Sequence, residues 1–274
     1  MTQAFGLGPA DAAIFETFVV PRYMAAFGEA ALDMIDFTDA PARVAHLHCR
    51  TGYPDRDLAT KLRSGLELHG CDRSVAAIEL ARAKGATMPD LYTDYRVQEG
   101  YPTTLPEGAF THALTLHPSL AKDGRRALLE EFRRVLVPGG QAVMAMPIRG
   151  SFSELSDLLR EYALKHEASE IDAAVTYASH LRPTMEMLDE ELVEAGFTDV
   201  DVDLRPLLIK FRSGRDFIED PSTRLLVIPD YCAELPIAMM NKPLFYVREA
   251  IDKYWSDAAF ELTLQIGSVS AISP

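Results

Sequence analysis

Cysteine is scarce in this chain: Cys49, Cys71 and Cys232 are the only three in 274 residues, an odd number without the paired spacing of a metal motif. That excludes a disulfide framework as the organising device and fits reduced thiols in a cytosol. Basic charge is short as well, with 27 Lys and Arg against 41 Asp and Glu, a net charge of −14. So acidic a surface has no general electrostatic hold on a polyanion, and neither nucleic acid nor an anionic membrane is expected as a partner. No apolar run approaches transmembrane length, and the first residues lack the basic-then-apolar pattern of a secretory signal, so a cytoplasmic location is expected. Internal repeats and low-complexity stretches are missing too. What is present is apolar substance, 48% of the residues, in a chain long enough for one sizeable domain or one domain plus a cap.

Glycine is missing where it is most expected. Residues 44 to 53 read Val-Ala-His-Leu-His-Cys-Arg-Thr-Gly-Tyr, a small apolar run closing on Gly52 just before Pro54 and a helix-like segment. This is the pattern of a buried strand feeding a tight turn, the place where α/β folds bind nucleotides. Such a turn usually carries several glycines, because its backbone takes positive φ and lets a ligand approach closely. Only Gly52 is there. His48 and Arg50 stand where the spacing predicts the other two.

The stretch resembles the class I S-adenosylmethionine (SAM) dependent methyltransferases, whose first strand and loop usually read Val-Leu-Asp-x-Gly-Cys-Gly-Thr-Gly. Val44, Cys49, Thr51 and Gly52 match in register, whereas His46, His48 and Arg50 replace the Asp and two glycines. In that family an acid ending the second strand holds the ribose hydroxyls of SAM; here it is Asp72, followed by Arg73-Ser74 and a helix over 75–84 with Gly85 as its C-cap. Asp72 and Ser74 also suit capping of that helix, and the two roles are compatible. The family's Gly-Asp-Ala after the third strand becomes Gly100-Tyr101-Pro102, leaving a stacking surface and a hydroxyl in place of a carboxylate. Thr111 replaces a further acid in the fourth strand. Leu128 to Pro147, with its Pro138-Gly139-Gly140 turn, is the best-preserved match and is architectural.

The resemblance implies a Rossmann-like seven-stranded mixed α/β sheet. Residues 1–40 would form N-terminal helices, 41–213 with 259–274 the α/β domain, and 214–258 a helical insertion or cap before the last strand. Apolar spacing over 11–36 predicts two helices broken at Pro21, serving either as a lid over the cofactor or as a cover for a sheet edge. Helices are expected over 56–64, 151–180 and 184–195, and strands over 65–71, near 95–98, and over 110–117, 199–211 and 260–269.

At the carboxyl ends of strands one, two and four, where a doubly wound sheet takes its ligand, the chain places His48, Cys49, Arg50, Cys71, Asp72, Thr111 and His117. An imidazole and a guanidinium in place of two glycines take up ligand volume. Arg50 would also set a permanent cation beside the sulfonium of SAM. One corollary is that Arg50 folds onto Asp72 as an ion pair. His46, His48, Cys49, His69, Cys71, His112 and His117 lie on or beside neighbouring strands, but without the short paired spacing of zinc sites no metal is expected. No serine stands in a nucleophile elbow, and Cys49 reads as a packed residue.

The expectation is therefore a degenerate methyltransferase-fold protein that has lost SAM-dependent catalysis and acts in binding or regulation. It would have a protein partner or form a homo-oligomer, with a small-molecule ligand left open. No cofactor is expected; the alternative is an active small-molecule methyltransferase using SAM through an atypical loop. The weak or vestigial cofactor contacts would be Asp72, Gly52, Cys49, Tyr101 and His117, with His48 and Arg50 blocking the pocket. A third reading is an anion site at Arg50 and the histidines.

Overall fold

The computed structural model describes residues 7–36, 40–62, 65–233 and 235–274. Seven strands form one sheet in the order β3-β2-β1-β4-β5-β7-β6: β1 Arg43–Leu47, β2 Glu67–Asp72, β3 Tyr92–Val97, β4 Phe110–Leu116, β5 Leu136–Pro147, β6 Thr198–Phe211 and β7 Phe260–Ile272. The first five run parallel, β1 pairing with both β2 and β4, and strand order reverses between those two neighbours. Near-continuous apolar runs such as Val44–Leu47 and Ala113–Leu116 are what strands covered on both faces require. Gly139 N–H meets the Ser273 carbonyl at 2.6 Å and the Gln141 side chain meets Ser270 at 3.2 Å, so β7 runs antiparallel to β5. The expected seven-stranded mixed sheet with a helical insertion between its last two strands in sequence is the observed one.

The described chain divides into two compact units. One holds Gly6–Met146, Thr184–Leu204 and Gly267–Pro274; the other holds Pro147–Pro183 and Arg205–Ile266. The first unit carries the candidate site. Its helices are α1 Pro9–Ile14, α2 Ala25–Met34, α3 Asp55–Lys61, α4 Val75–Gly85, α5 Lys122–Val135 and, later, α8 Met185–Glu194. In the second unit, α6 Ser153–His166 and α7 Ser169–His180 are separated at Glu167, where φ is 52°. The insertion folds as α9 Gly214–Glu219, α10 Ile228–Tyr231 and α11 Asn241–Tyr254, with short π and 3-10 turns between them. Its core is aromatic: Phe217 and Trp255 both meet Phe260 edge-on, at 5.3 and 5.0 Å between ring centroids.

The expected break at Pro21 is absent. Phe15–Met24 is a π-helical stretch continuous with α1 and α2, and Pro21 sits inside it. Proline lacks the N–H that an α-helical ladder would use, and the wider i to i+5 register accommodates it without ending the helix. Phe15, Val19, Tyr23, Met24 and Phe27 are all buried along this run.

Candidate functional site

The loop after β1 has the backbone of a glycine-rich turn with only one glycine, Gly52. His48, Arg50 and Gly52 have φ of 54°, 46° and 75°, so every second residue is left-handed. A Cβ in that region costs about 1 to 2 kcal/mol per residue, so two of the three positions are strained. The loop is pinned by Cys49 N–H to the Cys71 carbonyl (3.0 Å) and Gly52 N–H to the Cys49 carbonyl (2.8 Å). A side chain at Gly52 would crowd the Ala81 methyl at 3.2 Å and Asp55 Oδ2 at 3.3 Å, which is why this glycine has no substitute.

The two replacement side chains both bond to residues brought beside them by the sheet. Arg50 Nη1 and Nη2 donate to the main-chain carbonyls of Leu116 and His117, each at 2.8 Å, where β4 ends beside β1. Its guanidinium also lies 5.8 Å from the Phe15 ring. The corollary that Arg50 would fold its charge onto Asp72 is corrected in geometry: the Arg50 backbone N–H reaches Asp72 Oδ2 (3.1 Å), while the guanidinium takes the β4 carbonyls. These are charge-assisted bonds to two main-chain carbonyls at the end of β4.

His48 shares a 2.5 Å hydrogen bond between Nε2 and the Tyr101 hydroxyl. Burial, partly countered by Asp72 and reinforced by Arg50, lowers its pKa to about 4, so the imidazole is neutral near pH 7. Burial, then the nearby Glu131, raises the Tyr101 phenol well above its ordinary value, so that group keeps its proton. Two separate departures from the family pattern, at 48 and at 101, are therefore one contact. Glu131 holds the adjoining segment by accepting from Thr103 N–H at 3.0 Å and from the Thr103 hydroxyl at 2.5 Å.

Asp72 closes β2, with Oδ1 accepting from Ser74 N–H at 2.8 Å and Oδ2 from Arg50 N–H. Ser74 caps α4 by accepting from Ala77 N–H at 3.1 Å. The capping role foreseen for this corner is the one observed, and each Asp72 oxygen retains acceptor capacity. His117 ends β4 at φ 50°, its Nε2 3.0 Å from the Tyr23 hydroxyl and its ring edge-on to Phe27 at 5.1 Å. The N-terminal helical run thus contacts the site through Phe15, Tyr23 and Phe27. Cys49 faces the other way, packed with Ile78, Ala81 and Tyr95, and burial raises its thiol pKa well above the usual value.

One buried polar cluster escaped sequence reasoning. Asp55, on the first turn of α3, takes His46 Nδ1 at 2.7 Å on one oxygen and the Tyr95 hydroxyl at 2.7 Å on the other. Burial alone would raise the Asp55 pKa, but the attraction of His46 and the two hydrogen bonds outweigh it and hold the carboxylate below its ordinary range. Gly70 makes this possible, since any Cβ there would fall 2.4 Å from the Tyr95 ring. His46 stands where the family has its strand-one Asp, and an acid nine residues later at a helix start was the available signal.

Among the described residues, no three or more of His, Cys, Asp and Glu are placed to hold a metal ion. His69 lies instead between Glu67 and Asp94, at 3.5 and 3.6 Å. No helix among the described residues is long and apolar enough to cross a membrane. The Arg50 guanidinium, on the Leu116 and His117 carbonyls, stands at the strand ends where a doubly wound sheet takes its ligand. The carboxylate of Asp72, with acceptor capacity left on each oxygen, suits the ribose hydroxyls of an S-adenosyl group there.

The family described as a methyltransferase domain matches residues 44–140. No curated protein matches the sequence. Among solved structures, Haemonchus contortus phosphoethanolamine N-methyltransferase 2, complexed with phosphomonomethylethanolamine and S-adenosylhomocysteine, is 16% identical with a TM-score of 0.54; the match covers 90% of this chain and 52% of the enzyme, so the chain spans about half its length. The Haloferax volcanii methyltransferase solved with the Trm112 methyltransferase activator is 18% identical with a TM-score of 0.55, covering 100% of this chain and 99% of that one. Geranyl diphosphate C-methyltransferase from Streptomyces coelicolor, complexed with Mg2+, geranyl diphosphate and S-adenosylhomocysteine, is 15% identical with a TM-score of 0.52, covering 93% and 82%. At such identities the shared property is the fold. The expectation that no cofactor binds is overturned by these neighbours: two of the three are solved with S-adenosylhomocysteine, which points to an S-adenosyl ligand and away from none.

Proposed function

With residues 44–140 matching a methyltransferase-domain family on a class I methyltransferase sheet, we propose that the protein is an adenosyl-binding regulator of that fold, in which methyl transfer has been given up and Arg50 closes the cleft until a ligand displaces it. The observation that carries this reading is the Arg50 guanidinium on the Leu116 and His117 carbonyls, at the switch point of the sheet. Asp72 holds the ribose of the incoming ligand, Gly52 gives its backbone approach, and His48 with Tyr101 narrows the adenine side. Cys49 supports the loop from beneath, and His117 sets the β4 end. The N-terminal run is the lid, since Phe15, Tyr23 and Phe27 rest on the residues that must move.

A protein partner belongs to the same reading. The Haloferax neighbour of full-length coverage is solved with an activator protein, and within 214–258 Ile237, Met239, Phe245 and Tyr254 are exposed. The three buried free cysteines suit a cytoplasmic setting.

Calorimetric titration with S-adenosylhomocysteine tests the gate. Arg50→Gly is expected to bind at least about tenfold more tightly than wild type, the change that freeing the cleft of two charge-assisted bonds allows. Adding Asp72→Asn to that variant should abolish binding. Equal affinities of wild type and Arg50→Gly, or turnover of a methyl acceptor by the wild-type protein, overturn the proposal.

A further inference from the structure

We infer that Arg50 makes the cleft selective for an adenosine thioether without a sulfonium, S-adenosylhomocysteine, against S-adenosylmethionine; the inference rests on the adenosyl-binding reading above. The two ligands differ by one methyl group and one positive charge on sulfur. The methyl is small, so the charge decides.

Arg50 can move aside but cannot leave. Its backbone is held left-handed between the bonds of Cys49 and Gly52, and its N–H is tied to Asp72. Rotation about the side chain therefore releases the Leu116 and His117 carbonyls while keeping the guanidinium at the cleft mouth. The Phe15 ring, already 5.8 Å away, offers it an alternative seat on the same wall. The guanidinium carries its charge at every accessible pH. Asp72 faces the ribose that both ligands share, and its charge is tempered by the two backbone N–H groups on its oxygens. What distinguishes the ligands is thus the repulsion between Arg50 and the sulfonium. At separations of several Å in a partly water-excluded cleft, this amounts to about tenfold or more in affinity.

A site of this kind reads the product of methyl transfer and disregards the donor. The class of reaction that supplies its ligand is any methyl transfer from S-adenosylmethionine carried out by another enzyme. This agrees with a fold retained for binding, because a cation beside the sulfonium weakens donor binding before any acceptor is considered.

The experiment is calorimetry on the full chain with S-adenosylhomocysteine, S-adenosylmethionine and ADP, comparing wild type with Arg50→Met, which retains volume and loses charge, and with Arg50→Gly. Wild type should bind the thioether at least about tenfold more tightly than the sulfonium, and in Arg50→Met the preference should shrink to within about threefold through a gain in S-adenosylmethionine affinity. Equal affinities in wild type overturn the inference, as does a preference unchanged in Arg50→Met or tighter binding of ADP than of the thioether. If neither adenosyl ligand binds Arg50→Gly while its thermal melt remains cooperative, the adenosyl-binding reading itself fails.

Discussion

Two turns in this molecule make the same demand on the backbone and meet it in opposite ways. At Pro138-Gly139-Gly140, near the start of β5, the positive φ of 79° falls on Gly139, which has nothing within 4 Å of a would-be Cβ, and the backbone there only bonds the end of β7 at Ser273. At 48–52 the same left-handed conformation falls on His48 and Arg50, where glycine would be free of strain. A chain that spends stability there, and fills the space with a guanidinium bonded to two carbonyls and an imidazole bonded to a phenol, is using the side chains. The first turn is architecture and the second is the candidate site. Strain borne by large polar residues separates them, where loop shape alone would not.

The comparison can be broken most severely from beneath. Asp55→Ala leaves two buried groups, His46 and the Tyr95 hydroxyl, without their shared partner. A loss of about 3 to 5 kcal/mol is expected, measured by urea denaturation. The intact loop should then be lost along with α3, whereas the 138–140 turn has no such support to lose.

Acid comes next. The His48 pKa is lowered to about 4 in the folded protein from an ordinary 6.5, so the unfolded chain binds the extra proton first. The contribution of His48 is complete above about pH 6.5 and fades as pH falls toward 4, by about 1 to 3 kcal/mol in all. Thermal melts at pH 7 and pH 4.5 on wild type and His48→Gln measure it, the variant showing a smaller difference. An equal difference in both would show that His48 is not desolvated as the geometry implies.

Gly139→Ala tests the turn directly. Left-handed strain of about 1 to 2 kcal/mol should appear as a lowered Tm with no change in ligand binding. Arg50→Gly is the mirror experiment and has the smallest expected effect on stability. Relief of about 1 to 2 kcal/mol of strain offsets the loss of the two carbonyl bonds, so the Tm should hardly move while ligand affinity changes at least about tenfold. If Arg50→Gly instead unfolds the protein, Arg50 is architecture and the two turns are alike after all.

Much of this was legible beforehand because it is local. The strand–turn–helix pattern at 44–61, Asp72 beside a helix cap and the Pro-Gly-Gly turn each depend on residues a few positions apart. Pro21 misled because proline excludes the α ladder at its own position without ruling out a π register. Asp55 was missed because an acid in the first turn of a helix ordinarily explains itself by the helix dipole. Only Gly70, by leaving room for Tyr95, turns it inward.

The sequence by itself determined the sheet and, set beside the family pattern, showed two glycines and three acids replaced. The tertiary structure alone decided what the replacements do: His48 meets Tyr101 across 53 residues, Arg50 meets Leu116 across 66, and Tyr95 meets Asp55 across 40. The physical reason is that parallel strands lie side by side only after long crossovers, so the partners of a polar side chain at a strand end are fixed by sheet register and are not encoded in its own neighbourhood.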